Sequence, residues 1–195
     1  ELPMNNFTTD DAGNLLVANE TPYGGTLTIG CVQAPEMIMK PLISYEHNSI
    51  YSSTISNIRV KGNVLGDALV VAFTDLYTYA VCWEIKAGVV QEPVNVGLPT
   101  IANWETWTGI VWSASRNGCV VPVGTSLEDG LLYIAYDGRY TLTHVTKDGT
   151  ATELYSPYAD PASEGGNENF NCLATTVWNG SYVVAFEKGQ FFSYG

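Results

Sequence analysis

Positive charge is scarce in this chain: Lys and Arg total 8 against 20 Asp and Glu, a formal net charge of −12 over 195 residues. Nucleic acid and anionic membrane surfaces are held by clustered Lys and Arg, so the balance argues against both as partners. Long hydrophobic runs are missing too. Nothing approaches the roughly 18 consecutive apolar residues of a membrane helix, so the chain is read as having no membrane-spanning segment. Sustained i, i+3, i+4, i+7 apolar spacing is absent, which predicts essentially no long helix. Histidine is down to two residues, His47 and His144, and a Ser-His-Asp arrangement would have to use one of them. There is no Gly-x-Ser-x-Gly and no phosphate-binding Gly-rich loop. Cys31, Cys82, Cys119 and Cys172 show neither CxxC nor Cys/His spacing. They sit in apolar runs and read as buried free thiols rather than a zinc site or a disulfide framework. No signal peptide is visible and the chain starts at Glu1, which reads as a trimmed product.

What the chain does have is a hydrophobic fraction of 46%, only 14% charged residues, and 12 Tyr with 5 Trp. That composition specifies a packed, β-rich globular domain rather than a disordered one. Four runs share one design, a turn glycine followed by strand-forming residues. They are Gly13-Asn-Leu-Leu-Val-Ala, Gly66-Asp-Ala-Leu-Val-Val-Ala-Phe, Gly130-Leu-Leu-Tyr-Ile-Ala-Tyr and Gly180-Ser-Tyr-Val-Val-Ala-Phe. The glycines stand 53, 64 and 50 positions apart. A period of that size marks one supersecondary unit repeated along the chain.

Each unit parses as four strands, A to D, within a single domain of four units near 1–45, 55–97, 109–156 and 172–195. In unit 1, A lies near 5–9, B at 15–18, C at 26–32 and D around 37–44. In unit 2, A covers 55–62, B 68–73, C 79–85 and D 89–96, with Lys86-Ala-Gly88 as the turn between C and D. Unit 3 has A at 110–115 with an apolar continuation over 118–123, B at 131–136, C at 139–145 and D at 150–155. Lys147-Asp-Gly149 stands where Lys86-Ala-Gly88 stands in unit 2, and glycine supplies the positive φ such hairpins need. Unit 4 has A at 173–178, B at 182–186 and C at 190–194. Four-stranded antiparallel units at this spacing point to an all-β fold, a β-propeller or partial propeller. A β-sandwich is the competing arrangement, since evenly spaced short strands suit it as well.

The segments Leu2-Pro-Met-Asn-Asn-Phe-Thr-Thr-Asp-Asp-Ala-Gly-Asn-Leu-Leu-Val-Ala-Asn19 and Ile55-Ser-Asn-Ile-Arg-Val-Lys-Gly-Asn-Val-Leu-Gly-Asp-Ala68 resemble secreted Bacteroidetes lipoproteins. Those proteins carry propeller-like repeats of unknown function. The resemblance implies a cell-surface or periplasmic location and transfers no catalytic residue.

Alternating strand direction sorts the loops. A–B and C–D turns open on one end of the units, B–C turns and D-to-A connections on the other. The second end collects the long connections and the aromatics: Tyr45, His47 and Tyr51, then Trp104, Glu105 and Trp107, then Tyr158, with Tyr23, Asp75 and Tyr77 from B–C turns. Asn103-Trp-Glu-Thr-Trp-Thr108 is the sharpest local motif. Trp and Tyr offer flat apolar faces with a polar edge, which suits stacking on a sugar ring, while Glu105 can accept hydroxyl protons. Packing of Trp104 and Trp107 between units is the competing reading. The expected ligand-binding set is Trp104, Trp107, Glu105, Tyr45, Tyr51, Tyr77 and Tyr158.

No cofactor is expected. Asp160, Glu164 and Glu168 offer oxygen ligands that would suit Ca²⁺, but their spacing is not that of an EF-hand and a solvated acidic loop accounts for them. Glu105 with Asp75 or Glu164 is the one carboxylate pairing a glycan-active enzyme would draw on, and nothing in the pattern selects it. Asp10-Asp11 and Glu128-Asp129 read as turn residues on the opposite end. The expectation is a non-catalytic extracytoplasmic binding module, for carbohydrate through its aromatic rim. A protein-interaction scaffold of the cell envelope is the alternative, and a glycan-active enzyme a further one.

Overall fold

The structure is a computed structural model that describes residues 6–20, 26–33, 35, 37–46, 57–73, 79–99, 119–136, 140–155, 168–178 and 181–190. Its first sheet is β1 (Asn6–Thr9), β2 (Leu15–Glu20), β3 (Thr26–Gln33) and β4 (Ile38–Glu46), hydrogen-bonded in chain order. The second is β5 (Asn57–Gly62), β6 (Ala68–Phe73) and β7 (Tyr79–Lys86), bordered by β8 (Val89–Val90) and β9 (Val94–Gly97), both paired to β7. The third is β10 (Cys119–Pro122), β11 (Leu131–Tyr136), β12 (Tyr140–Val145) and β13 (Ala151–Tyr155). The fourth is the hairpin β14 (Glu168–Trp178) and β15 (Ser181–Gln190). All pairings are antiparallel. The chain is therefore all-β, and among the described residues the sole helical piece is a 3-10 turn at Leu127–Asp129.

Strand B of unit 2 explains the layering. Side chains alternate between the two faces of a strand, so a run that is apolar at every position must be covered on both. All six residues of β6 are buried. Ala68, Val70 and Ala72 join Leu16, Leu27, Ile29 and Ile43 of the first sheet in one core cluster. Leu69, Val71 and Phe73 join Val120, Leu131, Tyr133 and Val145 of the third in another. The second sheet is thus the middle layer. β7 repeats the logic, with Val81, Trp83 and Ile85 toward the first sheet and Ala80 and Cys82 toward the third. Burying each such Val, Leu or Ile contributes roughly 1.5–3 kcal/mol, which makes these two interfaces the main source of cohesion.

Three expectations need correction. Strand D of unit 2 is two short strands: Gln91 N–H still donates to the Glu84 carbonyl of β7 at 2.8 Å, and the ladder then breaks at Glu92 and Pro93, where Pro has no N–H to give it. The strand that pairs with β11 is the apolar continuation Cys119–Pro122, whereas 110–115 lies outside the described residues. In unit 4, Gln190 ends β15 rather than starting strand C, and 191–194 lies outside the described residues.

Candidate functional site

The order of strands within the first three sheets puts the A–B and C–D turns at one end and the B–C and D-to-A connections at the other. The turn end is closed by a hydrogen-bonded belt. Asp10 opens the β1–β2 turn, where its Oδ1 accepts the N–H groups of Ala12 at 2.9 Å and Asn14 at 2.8 Å. Its Oδ2 accepts Asn14 Nδ2 at 2.8 Å and, from the β5–β6 turn, the N–H of Val64 at 2.9 Å. Asp11 and Gly62 exchange two bonds, Asp11 N–H to the Gly62 carbonyl at 2.9 Å and Gly62 N–H to Asp11 Oδ2 at 2.8 Å. Gly62 has φ +94°, and a Cβ there would stand 2.3 Å from the Asp67 carbonyl oxygen.

The belt continues within unit 2 and on to unit 3. Ala87 N–H donates to Asp67 Oδ1 at 2.8 Å, and Gly88 N–H to the Gly66 carbonyl at 2.7 Å. Glu84 occupies the same strand phase as Ala80 and Cys82, so it faces the third sheet. Its Oε1 accepts Ser126 Oγ and Leu127 N–H, each at 2.8 Å, while Oε2 pairs with Lys86 Nζ at 2.9 Å. His144 Nε2 lies 2.9 Å from the Asp129 carbonyl oxygen. These partners leave the turn-end carboxylates structural. Lys86 and the N–H of Leu127 hold the Glu84 carboxyl at about 2, against burial, with Ser126 adding to the effect. Burial alone would raise the Asp10 carboxyl, but its bonds from Asn14, Val64 and Ala12 hold it below the usual carboxylate range.

At the opposite end, Tyr45 is the one expected site residue among those described. It stands next to last in β4, half-buried, with its ring edge-on to Trp83 at 5.5 Å between centroids and 82° between planes. Trp83 is 2% exposed. Part of the Tyr45 ring is therefore committed to the core, and aromatic pairs of this geometry add about 0.5–1.5 kcal/mol beyond area burial. Tyr79 opens β7 at the same end and is also half-buried against that cluster; strand-phase reasoning had it only as a strand residue. Tyr51, Tyr77, Trp104, Glu105, Trp107 and Tyr158 lie outside the described residues, as do His47, Asp75, Asp160 and Glu164. Among the described residues no group of three His, Cys, Asp or Glu stands close enough to hold a metal, and no helix is long and apolar enough to cross a membrane. Cys31 and Cys82 are free and buried, as their apolar settings implied.

The sequence could have flagged Glu84, a carboxylate in the apolar phase of a strand that otherwise reads as core. The role of Asp10 was half legible: its turn was expected, its bond to a residue 54 positions away was not.

A family model described as a domain of unknown function, DUF8500, matches residues 3–195. Comparison with curated proteins finds no match.

Proposed function

The chain belongs to the DUF8500 family, and we propose that it is a non-catalytic, extracytoplasmic binding domain taking carbohydrate at the end from which its long aromatic connections issue. The observation that carries this reading is the contrast between the two ends. At the turn end, main-chain donors and carboxylates of three units are used up in bonds to one another. The other end places Tyr45 and Tyr79 half-buried at its strand ends, and the aromatic connections of the sequence leave from there. Loops set on a rigid scaffold are where binding functions concentrate.

The sheet arrangement we propose with it is that of propeller blades. In support, β1 lies against β5, β5 against β10 and β10 against β14, so the first strands of successive units are neighbours, as strands lining a common axis would be. The test is titration of intrinsic Trp fluorescence with a panel of soluble oligosaccharides and polysaccharides. A saturable shift lost in Trp104→Ala and Trp107→Ala supports the site; a shift that survives both substitutions removes it. No response from folded protein removes the carbohydrate reading.

One observation favours a second reading, a protein-interaction scaffold. Register places Phe7, Leu15, Val17, Val32 and Met39 on the face of the first sheet that is turned away from the second. Phe7 and Met39 there are 69% and 59% exposed. Exposed apolar residues gathered on one face mark contact surfaces.

A further inference from the structure

We propose that Met39 is a reversible oxidation site: peroxide converts its thioether to the sulfoxide, and that change uncovers the main chain of the first sheet at Gly30. Neither the carbohydrate site nor the scaffold reading is needed for it.

Sulfur divides into two classes among the described side chains. Cys31 and Cys82 are free and buried. Burial pushes both thiols up, so little of either stands as the thiolate that oxidants attack. Met37 and Met39 are 68% and 59% exposed. The thioethers, not the thiols, are the sulfur that a peroxide meets first. Both belong to the passage from β3 to β4. Met37 closes that turn, its N–H on the Gln33 carbonyl at 2.9 Å and its φ at 54°. A left-handed backbone is uncommon for a side chain of this size, and such conformations collect at sites with a task.

Met39 is the thioether with something beneath it. Register sets Gly30 of β3 between Val17 of β2 and Pro41 of β4, with Met39 itself opposite Val32. Gly30 has no side chain, yet it is buried. Its cover is Met39: a Cβ added at Gly30 would stand 2.7 Å from Met39 Cγ and 2.9 Å from Sδ. The side chain lies diagonally across the strand pair, flexible and apolar enough to fill the gap that a glycine leaves. More than half of it stays open to solvent.

The oxidant is hydrogen peroxide. A sulfur lone pair attacks one peroxide oxygen, and the O–O bond breaks as the S–O bond forms. The proton on the transferred oxygen passes to the departing hydroxide. Sulfur loses two electrons, and the peroxide is reduced to water. A sulfoxide is polar and hydrated, so it gains more from water than from lying on Gly30 and turns outward. The ladder between β3 and β4 already shifts register between Ile29 and Gly30. Water then reaches main chain that Met39 had shielded, and the segment opens more often. Met37 shares the chemistry but sits in the turn, where its sulfoxide leaves the cover of Gly30 in place.

The test treats the full chain with hydrogen peroxide and reads peptide masses and amide hydrogen exchange, alongside Met37→Leu and Met39→Leu. Met37 and Met39 should each gain one oxygen atom, while Cys31 and Cys82 remain thiols that alkylate after unfolding. Exchange over residues 29–32 should accelerate severalfold in oxidised wild type and in oxidised Met37→Leu. In peroxide-treated Met39→Leu it should keep its starting rate, since leucine covers the glycine without a sulfur to oxidise. Methionine sulfoxide reductase should restore both mass and rate. If Met39→Leu fails to fold, Met37→Leu before and after peroxide decides the matter alone. Three results would overturn the proposal: Met39 left unoxidised when Met37 is fully converted, Cys31 or Cys82 oxidised ahead of Met39, or a Met39 sulfoxide that leaves exchange over 29–32 unchanged.

Discussion

The N–H of Val64, in the β5–β6 turn, donates to the carboxylate of Asp10, in the β1–β2 turn, at 2.9 Å. One buried side chain thereby organises its own turn and fixes the next repeat unit against it. Asp10 is 6% exposed and accepts from three backbone N–H groups and the Asn14 amide. A carboxylate so supplied does not need a cation.

Asp10→Ala should therefore be costly, because it leaves the N–H groups of Ala12, Asn14 and Val64 without their acceptor. Buried donors left unmatched cost about 1–3 kcal/mol each, and partial access of water to the turn sets the expected loss at roughly 2–4 kcal/mol. Asp10→Asn keeps an acceptor oxygen but turns an NH₂ toward existing donors, and should fall between. Urea denaturation of the three proteins checks the order; an alanine variant as stable as wild type would show the bond between turns to be idle.

The same chemistry sets an acid limit. The folded-state carboxyl of Glu84 sits at about 2 against an ordinary 4.5, and that of Asp10 is also depressed. In such groups the unfolded chain binds protons first, so their stabilisation is complete above the ordinary value and drains away as pH falls toward the folded-state value. Glu84 should contribute about 2 kcal/mol above pH 5, discounted because its partner Lys86 is largely exposed. The check is denaturant midpoint against pH for wild type and Glu84→Gln. The gap between them should be widest near neutrality and close between about pH 4.5 and 2. A gap that stays constant over that range would mean the lost hydrogen-bond geometry, not the charge, carries the effect.

How much of this was legible follows the range of the interactions. The run Ala68-Leu-Val-Val-Ala-Phe73 announces a strand covered on both faces, since period-2 alternation leaves no exposed side. Glycine-anchored turns were legible for the same local reason. What escaped depends on distant partners. Two apolar runs before Gly124 competed for strand A of unit 3, and only register against β11 selects Cys119–Pro122. Pro93 stood in plain view, but its effect on strand D follows from which edge β7 presents. Of the expected ligand-binding residues Tyr45 is the one described, and its contact with Trp83 lies 38 positions away, beyond the reach of any local pattern.

Turn chemistry gives the next prediction. Ala87 and Gly88 connect β7 to β8 with φ of 50° and 76°. Two positive values make a type I′ hairpin, which prefers Asn-Gly. Alanine in that region costs roughly 1–2 kcal/mol. Ala87→Asn should thus raise stability by about 0.5–1 kcal/mol, read as a higher melting temperature. The Ala87 N–H donates to Asp67 Oδ1 and survives the change, so an unchanged or lower melting temperature would mean the turn is not under strain.

Cys82 offers a probe of the middle layer. It is 0% exposed on the β7 face that meets the third sheet, and burial pushes its thiol up to about 12. Thiolate is the reactive form, so both access and ionisation protect it. Native protein treated with iodoacetamide near pH 8 should leave Cys82 unmodified over hours, and unfolding in urea should expose it at the rate of an ordinary thiol. Peptide mapping by mass spectrometry reads the site directly. If the interface between the second and third sheets opens locally, Cys82 will label in the native state at a rate set by that opening, with the core intact elsewhere. Labelling that slows when Leu131 or Val120 packing is strengthened would tie the opening to the second cluster. Rapid labelling in otherwise folded wild-type protein would contradict the placement of β7 between two sheets.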